Sequence, residues 1–191
     1  MPPDLLAIAE RAGRYTLFAI EALVLGLVLF LLRWQGIGAE QIGLPLQRWG
    51  QDLLLGCGAG LVWIGLVAAS FYGVARAWGV PKTSYYQEGS VTFWILIALF
   101  GAFVEEFWRA FCLLALARIG HSTVFSVMLT SVAFAAAHMP KRAGGAVASG
   151  IFGLVAASLY LWRGNLVTPC SAHLIANLGM IYWARNARPA R

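Results

Sequence analysis

Long apolar runs separated by short polar stretches organise this chain. Six runs stand out, at residues 15–32, 53–75, 91–117, 122–138, 144–162 and 166–184. Each is close to the roughly 20 residues that a membrane-spanning helix needs. Pro45, Pro81 and Pro140 fall in the connections, where helix breakers belong. Pro169 falls near the start of the last run, where a missing backbone donor costs little. The third run extends for about 40 Å at about 1.5 Å per residue, so it should tilt or protrude. The pattern predicts an all-α, polytopic membrane bundle of about six transmembrane helices. It forms one integral membrane domain over 1–191, with no internal repeat and no low-complexity stretch.

Composition agrees with a lipid environment. Of 191 residues, 60% are hydrophobic and only 12% charged, about half the charge of a typical soluble domain. The 21 Gly, eight Trp and eleven Phe suit a membrane protein, in which Gly is tolerated and aromatics line the interfaces. The net charge of +6 does not indicate nucleic acid, because the basic residues are scattered singly and make no patch. Cys57, Cys112 and Cys170 are isolated in apolar runs and read as small buried hydrophobes. Asp4, Glu10, Arg11 and Arg14 precede the first run, and no small-residue cleavage site follows it, so that run reads as a retained helix.

Six spans put both termini on the side of the loops after the second and fourth helices. That side carries Arg11, Arg14, Arg76, Lys82, Lys141, Arg142, Arg185, Arg188 and Arg191. The other side carries Arg33, Arg48, Arg118 and Arg163. The larger basic set belongs inside, which predicts a cell-membrane protein with cytoplasmic termini. Gly56, Gly58 and Gly60 in the second run, and Gly150 and Gly153 in the fifth, are expected to let helix backbones approach closely. Glu21 lies one to two turns from the cytoplasmic end of its run and is expected to reach toward the interface.

The polar residues inside the last four runs carry the chemistry. Glu105, Glu106 and Arg109 share the third run, His138 ends the fourth, and His173 and Asn177 lie in the last. A charge in mid-membrane costs on the order of 3 kcal/mol on the lenient scales, so such residues face the bundle interior and mark a functional site by default. Arg109 is four after Glu105 and three after Glu106, so it can pair with either. The two acids point about 100° apart. One is therefore a candidate base, and the other anchors Arg109 or a neighbouring helix. His173 and Asn177, four apart, share a face. Two acids, two imidazoles, an arginine and an amide are suited to activating a water. The bland alternative is an ion cluster that merely ties helices together.

Taken together, these residues resemble the motifs of the CPBP family (CAAX protease and bacteriocin-processing enzymes, also called the Abi family), glutamic-type intramembrane endopeptidases. The family pattern is E-E-x-x-x-R, then F-x-x-x-H, then H-x-x-x-N or H-x-x-x-D. Phe134 to His138 fits the second motif and His173 to Asn177 the third. The run GNLVTPCSAHLIANLG is similar to the family's approach to the last motif. The resemblance covers about residue 91 to the end, with a catalytic core at about 91–184. The first motif is one residue short here, E-E-x-x-R. Counted from the acids, Glu105 takes the family's first place; counted from the arginine, Val104 does. A local bulge in the helix could restore the usual arrangement. The family assigns water activation to its first glutamate, which favours Glu105, since Val104 cannot serve, and leaves Glu106 in play.

The resemblance implies a mechanism. Glu105 or Glu106, with His138, holds and deprotonates a water that attacks the scissile carbonyl. His173 and Asn177 then donate to the oxyanion, while Arg109 and Phe134 support the site. No metal or cofactor is required. The rival within the enzyme class is a zinc protease, because two His and a Glu are a known catalytic zinc set, although H-E-x-x-H is missing. The rival outside it is a non-catalytic scaffold or immunity protein. The implied partners are the lipid bilayer and a membrane-anchored protein or peptide, cut near a hydrophobic C-terminal or membrane-embedded segment.

Overall fold

The structure is a computed structural model that describes residues 3–44, 48–78, 90–138 and 143–186. Every element among these is a helix: α1 (Pro3–Trp34), α2 (Trp49–Trp78), α3 (Val91–Arg118), α4 (Thr123–Ala137), α5 (Ala143–Arg163) and α6 (Val167–Asn186). These are the six elements the hydropathy pattern predicts, and the protein is an all-α membrane helix bundle. Trp49–Ser70, Val91–Arg118 and Gly145–Arg163 are long and apolar enough to cross a membrane, and Thr123–Ala137 is a shorter apolar helix. Pro45, Pro81 and Pro140, with most of the larger basic set, fall outside the described residues.

Helix ends differ from the apolar limits for local reasons. Helix α1 begins at Pro3, twelve residues before its apolar run, because proline suits the first helical position and nothing after it breaks the helix. Hydropathy marks the lipid span, not the helix. Ser90 and Ser122 cap α3 and α4, each accepting a backbone N–H three residues on, from Phe93 and Phe125. Helix α3 runs uninterrupted from Val91 to Arg118. The bulge considered for its shortened motif is therefore not there.

One end of the bundle gathers the close of α1, α3 and α5 with the start of α2 and α6. Arg118 donates to the Gln35 carbonyl, and the Leu166 N–H to the Gly43 carbonyl. Asp52 in the first turn of α2 is held at 2.7 Å by Arg163, the last residue of α5. The Thr168 hydroxyl in α6 also faces it. Trp34, Trp49 and Trp162 are exposed at this same end, as interfacial tryptophans are. Leu23, Leu54, Leu61, Val62, Val132 and Val147 are exposed along the helix flanks, where lipid rather than water is the solvent.

The tightest helix contact is α2 against α6. A Cβ at Gly56 would overlap Ser171 Oγ and the Thr168 carbonyl, and one at Gly60 would sit 2.6 Å from the Ala172 carbonyl. Gly150 and Gly153 bring α5 close to α4, less tightly, where their added Cβ atoms would lie 3.1 Å from Ala135 Cβ and 3.2 Å from Ser131 Cα. The packing role expected of these glycines holds at four positions. Gly58 differs, since nothing lies within 4 Å of an added Cβ there. Glu21 differs too. Its carboxylate lies against Gly101 of α3, 3.2 Å from where a Cβ would be, so it turns inward to a neighbouring helix and not toward the interface.

Candidate active site

Helix α3 presents consecutive acids, and their angular separation decides what each can do. Glu106 faces the core and is 1% exposed, whereas the Glu105 side chain is 30% exposed. Arg109, one turn on and fully buried, grips Glu106 through two bonds, Nε at 2.9 Å and Nη2 at 3.1 Å. A two-pronged bond of this kind fixes a carboxylate in plane and in position. It also offsets the cost of a buried charge. From the far side, the Phe134 ring of α4 lies 4.4 Å from the guanidinium carbon. A cation over an aromatic face gains electrostatic attraction, more so away from water.

His173 of α6 stands between the two acids. Its Nδ1 lies 2.8 Å from Glu106 Oε1 and its Nε2 lies 3.3 Å from Glu105 Oε2. The acids therefore take opposite nitrogens of one imidazole. The ring is buried, with Phe134 edge-on at 5.7 Å and Phe152 of α5 at 4.9 Å. An Nδ1–H donated to Glu106 sets the tautomer and ring plane, as a carboxylate does for the histidine of a hydrolytic triad. The approach of Nε2 to Glu105 is a 3.3 Å contact, longer than the 2.8 Å hydrogen bond of Nδ1 to Glu106.

His138 forms the C-cap of α4. Its ring lies 4.4 Å from Phe134, and its Nδ1–H donates to the Phe134 carbonyl at 2.9 Å. Phe134 thus touches Arg109, His138 and His173, and the three motifs meet at one phenyl ring. Asn177 is half-buried one turn beyond His173 on the same face of α6. It stands outside the hydrogen-bonded set of Glu106, Arg109 and His173 and the Glu105 contact beside it. Phe152, Ser131 and Gly153 also border the cluster, and the sequence alone does not single out the first two. Ser131 is three residues before Phe134, a spacing that puts both on one helix face and could have drawn notice.

Among the described residues, no three His, Cys, Asp or Glu side chains are grouped to hold a metal ion. The geometry explains this, since the two nitrogens of one imidazole point apart and cannot bring both carboxylates to one ion.

Residues 87–179 match the family described as Rce1-like, type II CAAX prenyl endopeptidase. That segment belongs to the CAAX protease family. It spans every residue of the cluster and leaves α1 and α2 outside. No curated protein and no solved structure matches the chain. The family is one of membrane proteases, so the chain is a multi-pass CAAX-type intramembrane protease in general class. It is a hydrolase that acts on protein.

Proposed function

We propose that the protein is a glutamic-type intramembrane endopeptidase in which Glu105 activates the attacking water. The observation that carries this reading is the unequal pair of acids around His173. Glu106 is spent on Arg109 and on Nδ1, whereas Glu105 is partly exposed and reaches only Nε2. Only Glu105 combines access to solvent with a neighbour that can trade a proton.

In this mechanism Glu105 takes a proton from water, and the hydroxide forms a bond to the scissile carbonyl carbon. His173, with its proton at Nε2, donates to the oxygen as it becomes negative, and Asn177 supplies a second donor. Such a donor is worth typically about 3 kcal/mol in the transition state. His138 sits at the end of the short helix α4 and holds the incoming water. When the C–N bond breaks, Glu105 returns its proton to the leaving amine. Arg109, Glu106 and Phe134 keep the imidazole in place and touch no reacting atom. The substrate is a membrane-anchored protein or peptide, cut near a hydrophobic C-terminal or membrane-embedded segment, in a cell membrane with the enzyme's termini in the cytoplasm.

The test is reconstitution of the full chain in liposomes with membrane-anchored reporters that differ in their C-terminal segments. Mass spectrometry should find one new C-terminus, carrying one heavy oxygen when the reaction runs in 18O-water. Glu105→Gln should yield none. Dialysis against a strong chelator should leave turnover unchanged, and a loss restored by stoichiometric zinc would replace this reading with a metalloprotease. Reporter fusions at Arg191 check the orientation, which an external C-terminus would overturn.

A further inference from the structure

Two buried polar atoms beside the site have no hydrogen-bond partner among the described residues: Arg109 Nη1 and Ser131 Oγ. Nε and Nη2 of Arg109 are taken up by Glu106, which leaves the two N–H donors of Nη1 over. Ser131 is 3% exposed on α4. The other buried hydroxyls of α4 turn back on their own helix, Ser126 to the Ser122 carbonyl and Thr130 to the Ser126 carbonyl. Ser131 does not make this bond, although it is the usual way for a helical serine to satisfy itself. Its hydroxyl thus remains available to whatever lies across the helix interface.

What lies across is Arg109. A Cβ added at Gly153 of α5 would be 3.2 Å from Arg109 Nη1 and 3.3 Å from Ser131 Cβ. The guanidinium edge and the serine therefore border the same narrow niche beside Gly153, too tight for an unshifted side chain at that position. Three residues along α4 from Ser131, the Phe134 ring covers the same guanidinium. Buried polar atoms of this kind are commonly joined by an ordered water, which offers two donors and two acceptors.

We infer that one water molecule bridges Arg109 Nη1 and Ser131 Oγ at the Gly153 niche, and that Ser131 is thereby a positioning residue for Glu106 and His173. This rests on the catalytic reading above only for its effect on turnover. The water accepts from Nη1–H and exchanges a hydrogen bond with the hydroxyl. That completes the guanidinium's set of partners and stops it from rotating away from the Glu106 carboxylate. Glu106 in turn sets the plane of His173, so an error in Arg109 is passed to Nε2, the atom that faces Glu105.

Nuclear magnetic resonance on the full chain in lipid nanodiscs with 15N-labelled arginine tests this directly, with Arg109 assigned through Arg109→Lys. The wild type should show separate, slowly exchanging Nη protons for Arg109 and a cross-peak to a long-lived water. Ser131→Ala should abolish that cross-peak and merge the Nη1 signals, while Ser131→Thr, which keeps the hydroxyl, retains them. Gly153→Ala fills the niche and serves as a second probe should Ser131→Ala not fold. In turnover of the reporter, Ser131→Ala should lower kcat about tenfold with KM unchanged, and should have no further effect in an Arg109→Lys background. Folded Ser131→Ala with unchanged Arg109 signals overturns the inference, as does a wild type with no bound-water cross-peak. An active Glu105→Gln beside intact water signals would overturn the catalytic reading and leave this one standing.

Discussion

Among the described residues, two carboxylate–arginine pairs, Asp52–Arg163 and Glu106–Arg109, are built for different ends. Asp52–Arg163 joins α2 to α5 across more than a hundred residues of chain, and Thr168 of α6 adds a third helix. Its arginine is 23% exposed and so open to solvent. Glu106–Arg109 lies within one turn of α3 and is closed to solvent. A pair inside one helix ties nothing together. Its use lies in what it presents to other helices: an oriented carboxylate to His173 and a cationic face to Phe134. A staple spans distant elements and tolerates water, whereas a positioning pair is local, dry and aimed at a third group. The ion cluster that the sequence offers as a mere tie, Glu105, Glu106 and Arg109, contains only the second of these pairs.

The comparison is sharpest at the two acids of α3. Glu105→Gln should lower turnover by on the order of 10³-fold, because the amide cannot accept the proton of water. Melting should move little, since this side chain is partly exposed and unpaired with Arg109. Wild-type turnover in Glu105→Gln, alongside a folded but dead Glu106→Gln, would reverse the roles given to the two acids.

Stability should follow the opposite order. Glu106→Gln leaves Arg109 buried against a neutral amide, and breaking a dry pair costs about 3–5 kcal/mol. Asp52→Asn should cost about 1 kcal/mol, because Arg163 can turn to solvent. Thermal unfolding in detergent measures both, and turnover per folded molecule of Asp52→Asn should equal that of the wild type. Equal destabilisation by the two changes would erase the distinction between staple and positioning pair. Phe134→Leu lies between them. It keeps an apolar filler but removes the ring shared by Arg109, His138 and His173, at a cost of about 1–2 kcal/mol in cation–π attraction. Turnover should fall about tenfold, read as kcat with KM unchanged.

Much of this division is written in residue spacing. Six apolar runs give six helices because, in lipid, each span must satisfy its backbone internally. Arg109 at three and four from the acids, and the adjacency of the acids themselves, predict one pair and one odd acid. Spacing cannot say that Glu106 is the paired member, because both separations are good helix neighbours. The bundle decides, by turning Glu106 and Arg109 to the core together. Nor can spacing predict that His173 touches both acids, a contact between residues 67 apart in the chain. Asp52–Arg163 was invisible for the same reason. Asp52 closes one polar stretch and Arg163 opens another, so each looks like an interfacial charge until tertiary packing brings three helix ends together. The shortened first motif suggested a bulge, and the regular course of α3 shows that the helix satisfies its acids without one.

The last comparison sets two glycines near the staple against each other, and one of them, Gly58, should show the smallest effect of all. Gly56 lies one turn after Asp52 and touches α6 so closely that a methyl group there overlaps Ser171 and Thr168, the latter a partner of Asp52. Gly58, two residues on, looks the same in sequence and faces open space. Alanine is favoured over glycine in a helix interior by about 1 kcal/mol. Gly58→Ala should therefore leave melting unchanged or raise it slightly, with turnover intact. Gly56→Ala must push α6 away and should cost about 1–3 kcal/mol, the usual range for overpacking. Both variants have the same composition, so any difference between them is a matter of helix approach. In Gly56→Ala the loss should be shared with the staple: adding Asp52→Asn should cost less than the sum of the two single changes, because α6 has already moved off Asp52. Strict additivity would mean that close backbone approach and the Asp52 pair hold this end of the bundle independently.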